Sequence, residues 1–108
     1  MRNLIDGFIA TTNAIDFEGT LALFADDAVI DDVSVGDAFV GRDGIRTYLD
    51  RFFARYHTVS ALLSVEASGE LRALARVDFT GDFGHEIGIL QITVNSDGLI
   101  ERIDADLE

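Results

Sequence analysis

The sequence predicts an α+β fold, and three observations predict it. Helical periodicity fills the first half of the chain. Alternating, turn-punctuated segments fill the second half. The change of regime happens once, near His57. Helices first and consecutive hairpin strands later exclude a doubly wound α/β arrangement, in which the two would alternate.

The first helix is read from Leu4, Ile5, Phe8, Ile9, Thr12 and Ile15, which recur at the spacing of one helical face. Asp16 has the chemistry of an N-cap, since its carboxylate can accept from the amides of the next turn. The second helix that it opens buries Phe17, Leu21 and Phe24, and Ala25-Asp26-Asp27 ends it. Ala28 to Val33 is short and β-branched, which predicts a strand. Gly36 and Gly41 frame a loop. A third helix runs from about Arg42 to Tyr56, with Ile45, Leu49, Phe52, Phe53 and Tyr56 on its apolar stripe. Arg46 and Asp50, four apart, form a supporting pair on its exposed face.

Four strands fill the rest. Thr58 to Ala67 comes first, and Ser68-Gly69 is read as its two-residue hairpin turn. In the next strand Leu71, Ala73, Ala75, Val77 and Phe79 alternate with Arg72, Leu74, Arg76 and Asp78. Gly81 to Gly84 turns into Ile87–Val94, which is apolar on both faces. Asn95-Ser96-Asp97-Gly98 offers a glycine for positive φ, and Leu99 to Leu107 closes the sheet. A sheet apolar on both faces needs cover on both. Helices cover one face, so a homodimer through the other sheet face is expected.

Bulk properties narrow the function. With 108 residues the chain is read as a single domain spanning 1–108. It is 48% apolar and has no Cys, so its core needs no disulfide. Two His and no Cys give no ligand spacing, so no metal is expected. Twenty acids against eight bases leave a net charge of −12, which repels phosphate backbones and anionic lipid. Neither nucleic acid nor membrane is therefore expected as a partner. No run approaches ~20 apolar residues, and Asp6 breaks the N-terminal apolar stretch, so a cytoplasmic protein is expected. A Gly-rich phosphate loop, a Gly-x-Ser-x-Gly motif and a calcium loop are all missing, and no cofactor is implied.

Asp32 is the first candidate for chemistry. On a period-two strand Ile30 and Asp32 share one face, and Val29, Asp31 and Val33 share the other. A carboxylate desolvated among apolar side chains holds its proton more tightly and makes a better proton shuttle. The plainer alternative is that Asp31 and Asp32 are solvated edge-strand charges.

The order of these elements resembles the NTF2-like superfamily, in its SnoaL-like and ketosteroid-isomerase-like branch. The resemblance covers nearly the whole chain. It is carried by Asn13, Asp16 and Gly19, the run LFADDAVIDD from Leu23 to Asp32, Gly41 with Ile45-Arg46, and the closing segment SDGLIERID. It implies a cone-shaped (cystatin-like) fold, with three N-terminal helices packed on a strongly curved, mainly antiparallel sheet. The partner implied is an apolar small molecule held in the cone.

The resemblance also puts Asp32 at the general-base position of ketosteroid isomerases. The positions of that activity's two acidic donors fall on Phe8 and Leu90, which cannot donate, so standard ketosteroid isomerisation is not implied. Phe8, Tyr56, Leu90 and Ile103 then become candidate substrate-binding residues. Tyr48 and Tyr56, eight apart on the third helix, are candidate donors, Tyr56 with its hydroxyl near the cone. His85 is either a pocket acid/base or a hairpin-end surface residue. His57 suits the helix dipole as a cap. If Ile103, Ala105 and Leu107 face the cone, Asp104 and Asp106 face away. Two functions stay open. One is a cofactor-independent enzyme of isomerase, cyclase or hydrolase type acting through Asp32. The other is a non-catalytic dimeric module that binds a ligand or a partner.

Overall fold

The computed structural model describes residues 1–108. The chain begins with α1 (Arg2–Asn13) and α2 (Phe17–Leu21), followed by β1 (Phe24–Asp32) and β2 (Asp37–Val40). Helix α3 (Gly41–Leu49) then runs on into a π-helical turn at Asp50–Ala54. Four strands complete the chain: β3 (Val59–Gly69), β4 (Arg72–Gly81), β5 (Gly84–Val94) and β6 (Ile100–Leu107). All six strands form one sheet in the order β2-β1-β6-β5-β4-β3. Every neighbouring pair is antiparallel except β1 and β6, which run parallel.

Strand alternation builds the core. Ala28 and Ile30 of β1, Ala73, Ala75 and Val77 of β4, Leu90, Ile92 and Val94 of β5, and Ile103 and Ala105 of β6 turn to the helix-covered face and are buried. Ile5 and Phe8 of α1 and Ile45 and Leu49 of α3 pack in the same core. Asn13 ties the end of α1 to the edge strand. Its amide donates to the Ser60 carbonyl at 2.9 Å, and its carbonyl accepts from the Ser60 N–H at 2.7 Å. Register shifts interrupt the ladders of β1 with β6, of β3 with β4 and of β5 with β6, and such bulges bend a sheet.

The N-cap at Asp16 is present, with its carboxylate accepting from the Gly19 N–H at 2.9 Å. Other local expectations need correction. Helix α2 ends at Leu21, and Ala25-Asp26-Asp27 belongs to β1. The register shift between Phe24 and Val29 lets Asp26 and Asp27 turn to solvent, so their polarity reads falsely as a helix end. The stretch framed by Gly36 and Gly41 contains β2, paired with β1; the two glycines, at φ +70° and +73°, are its punctuation. Ile15 leaves the α1 stripe, because the chain reverses there at φ +55°. The β3–β4 tip is Glu70-Leu71, since Gly69 still pairs with Arg72. Arg46 bonds Glu18 of α2, and Asp50 bonds Arg55, instead of each other. No helix is long and apolar enough to cross a membrane.

Candidate functional site

Asp32 is the last residue of β1, and its alternation with Ile30 turns it inward, only 7% exposed, while Val33 beyond it is exposed. Three donors converge on its carboxylate. Oδ1 accepts from the Ser34 N–H at 3.0 Å and from the Ser34 hydroxyl at 2.5 Å. Both bonds are local, an Asx-type closure made by the turn into β2. Oδ2 accepts from the Tyr48 hydroxyl at 2.7 Å. A carboxylate offers about four lone-pair sites, so one on Oδ2 is left for a ligand.

Tyr48 reaches Asp32 from α3. Its ring centroid lies 5.0 Å from those of Phe39 and Phe52, in an apolar setting. Burial, and then the adjacent Asp32 charge, push the phenol well above its ordinary value of 10.0, so Tyr48 keeps its proton and donates. Near neutrality folded and unfolded chains both hold this proton. Above pH about 10 the unfolded phenol ionises first, so folding stability falls as pH rises. In a Tyr56→Phe background Tyr48 is the one remaining phenol. Its absorbance at 295 nm should then change only as the alkaline unfolding transition occurs. An independent phenolate signal in the folded protein would contradict this.

Beside Asp32 and Tyr48 lies a cavity of about 260 Å³. Phe52, Phe53 and Phe79 form its walls. Tyr56, Phe83 and Glu86, all exposed, stand at its mouth, and Ser34, Val35, Thr58 and Leu107 complete the lining. The π-helical turn explains how one segment supplies so many rings. A turn wider than an α-turn slows the rotation per residue, so Tyr48, Phe52 and Tyr56, four apart, stay on one side. Phe52 and Tyr56 stack with planes 22° apart.

Gly88 sets the position of Phe79. It sits opposite Val77 on the inward face of β5. A Cβ added there would lie 2.3 Å from Cε2 of the Phe79 ring. Gly88→Ala is therefore expected to drive the ring into the cavity and to destabilise the fold by about 1–3 kcal/mol. A urea titration checks the second effect. An unchanged midpoint would mean the ring swings away freely.

The structure places the sequence candidates differently from one another. Asp32 and Tyr56 line the cavity. Phe8, Leu90 and Ile103 do not: they are buried in the core. Phe8 stands behind the cavity wall, edge-on to Phe53 at 6.4 Å. The physical reason is volume, because aromatic side chains fill the interior and leave only its outer end open. His85 is also outside the cavity. Glu86 takes the inward place, so His85 turns to an adjoining depression shared with Arg76 and Glu108. Its Nε2 lies 2.6 Å from Asp78 Oδ1, a close contact outside hydrogen-bond geometry. His57 pairs with Asp82 at 2.9 Å rather than capping a helix. Asp31 and Asp104 share Arg102 on the outer face, so Asp104 faces away from the cavity, as Ile103 and Ala105 face in.

Phe79, Phe83 and Glu86 were not legible as site residues, and Tyr48 was legible only as a candidate donor beside Tyr56, not as the partner of Asp32. The signal for Tyr48 is its spacing, three after Ile45 and four before Phe52, which puts it on the apolar stripe.

A curved six-stranded sheet with three helices and a carboxylate-bearing cavity defines a protein of the NTF2-like fold. The chain belongs to the SnoaL-like domain family, whose pattern it matches over residues 5–103. Solved structures agree on the fold. A candidate ketosteroid isomerase from Kribbella flavida DSM 17836 superposes with a TM-score of 0.86 at 20% identity, over 99% of this chain and 76% of that one. A candidate polyketide cyclase from Sinorhizobium meliloti gives 0.86 at 21% identity, over 95% and 93% of the two chains. A Mycobacterium tuberculosis protein solved in complex with estradiol-17beta-hemisuccinate gives 0.82 at 22% identity, over 94% and 88%.

Proposed function

We propose that this SnoaL-like protein is a cofactor-independent acid–base catalyst acting on a small, largely apolar molecule, with Asp32 as the proton acceptor. One observation carries the proposal. A buried carboxylate, oriented by Ser34 and Tyr48, keeps an acceptor site open beside an aromatic-walled cavity. The ligand class is supported by the estradiol derivative held by the similar M. tuberculosis protein. In this reading the ligand's reacting C–H or O–H meets Oδ2, Tyr48 holds the carboxylate still, and Phe52, Phe53 and Phe79 exclude water. The single domain of 1–108 and the cone shape expected of the family belong to the same reading.

The test is proton exchange. Small cyclic ketones such as 2-tetralone, incubated with the protein in D2O, should lose their α-proton NMR signals faster than in buffer. Binding without accelerated exchange would replace catalysis by a second reading, a non-catalytic ligand-binding module. That reading has its own support, because the core residues Phe8 and Leu90 offer no donor for an enolate oxygen.

We also propose the homodimer through the outer sheet face. Leu74, Ile87 and Ile89, half-buried on that face, and the exposed Leu63 support it. Light scattering at micromolar concentration should give twice the mass of one chain. A single-chain mass would overturn it.

A further inference from the structure

We infer that the ligand carries a positive charge, as an amine or quaternary ammonium group on a small apolar body. This deepens the proposed function and rests on the cavity being the ligand site. The charged group sits at the mouth among Tyr56, Phe83 and Glu86, and the body extends toward Asp32.

The cavity carries unbalanced negative charge. Two carboxylates, Asp32 and Glu86, line the cavity, and no Arg or His does. Asp32 is buried, yet all of its partners are neutral: the Ser34 amide and hydroxyl and the Tyr48 phenol. Buried charges in proteins are ordinarily paired. Glu86 has no ion pair either. Arg76 of the adjoining depression is already engaged by Glu108 at 2.6 Å, and His85 lies against Asp78 at 2.6 Å. A cationic group at the mouth meets Glu86 directly and is drawn by Asp32 from deeper in the cavity, whereas an anionic one would be repelled by both carboxylates.

Aromatic faces attract cations, and rings beside a carboxylate form the cage that recognises quaternary ammonium groups. Tyr56 and Phe83 meet edge-to-face at 6.0 Å at the mouth, and Phe52 stacks on Tyr56 behind them. The same ring cluster already draws one of the chain's own cations. The Arg51 guanidinium carbon lies 5.8 Å from the Phe39 centroid and 5.9 Å from that of Phe52. The net charge of −12 adds a long-range field that gathers cations at the surface.

Three probes of like shape test the inference: benzyltrimethylammonium, its uncharged carbon analogue neopentylbenzene, and phenylacetate. Binding is followed by NMR shifts of Tyr48 and Phe53. The cation should bind at least about tenfold more tightly than the neutral analogue and weaken with added salt, and phenylacetate should not bind. Glu86→Gln, at an exposed and unpaired position, should weaken the cation several-fold and leave the neutral analogue unchanged. Equal affinity for cation and neutral analogue, binding of phenylacetate, or indifference to Glu86→Gln would overturn the inference and leave the cavity reading intact. If none of the probes moves the Tyr48 and Phe53 resonances, the cavity reading falls with it.

Discussion

Asp32→Asn is expected to slow enzyme-driven proton exchange by about 10²–10⁴-fold, the usual contribution of a positioned general base. The substitution keeps the shape and removes the basic oxygen. The remaining amide oxygen can still accept from Ser34, so the turn into β2 closes as before. The new NH2 faces the Tyr48 hydroxyl, which must turn from donor to acceptor. That rearrangement costs about 1 kcal/mol, the net worth of one hydrogen bond. A large loss of exchange with a nearly unmoved urea midpoint is therefore the signature. Exchange as fast in the variant as in the parent protein would remove Asp32 from the chemistry.

Phe53→Ala should produce the largest stability change, about 3–5 kcal/mol. Phe53 is 4% exposed and is the ring that closes the inner end of the cavity. It touches Phe8 at 6.4 Å, Tyr48 at 6.2 Å and Phe79 at 6.2 Å, centroid to centroid. Three rings cannot collapse into the space it leaves, because each is held by its own strand or helix. The variant should also accept longer ligands, since its cavity would extend toward Phe8, and a bound ligand should restore part of the lost stability. Denaturant unfolding with and without a bulky probe measures both effects. A loss under about 1 kcal/mol would mean that the wall is not packed as described.

The fold was legible because its signals are periodic. Strand alternation in Leu71–Phe79 and the stripe in α1 depend only on which residues are apolar, and burial follows that pattern. Periodicity put Asp32 on the face of Ile30, while the family resemblance, not the period, implied that this face looks inward. What escaped was geometry that breaks a period. The bulge at Asp26-Asp27 mimics a helix end, and the π-helical turn shifts the phase of the ring-bearing face after Leu49. Tyr48 was legible as a donor candidate, but its aim at Asp32 was not, because a tyrosine is only half apolar and marks the buried stripe weakly. Phe8, Leu90 and Ile103, expected at the substrate, lie in the packed core and not along the cavity, because a sequence tells which side chains point inward, not which of them leave space between them. Glu86 escaped because a lone glutamate beside a turn has no periodic neighbour to mark its face.

The parallel pairing of β1 with β6 couples the site to the order in which the protein is made. Asp32 sits in register with Ala105, more than seventy positions later in the chain. A nascent polypeptide emerging from the ribosome has the helices and the carboxylate early, but not the strand that must lie between β1 and β5. Until β6 arrives, β1 has only the short β2 beside it, and its other edge is unpaired. Contacts this remote in sequence are slow to close, and an open strand edge is a place where unfinished chains adhere to one another. Assembly of the site thus waits on β6, and mutations that weaken β6 are expected to appear as poor yield before they appear as poor chemistry.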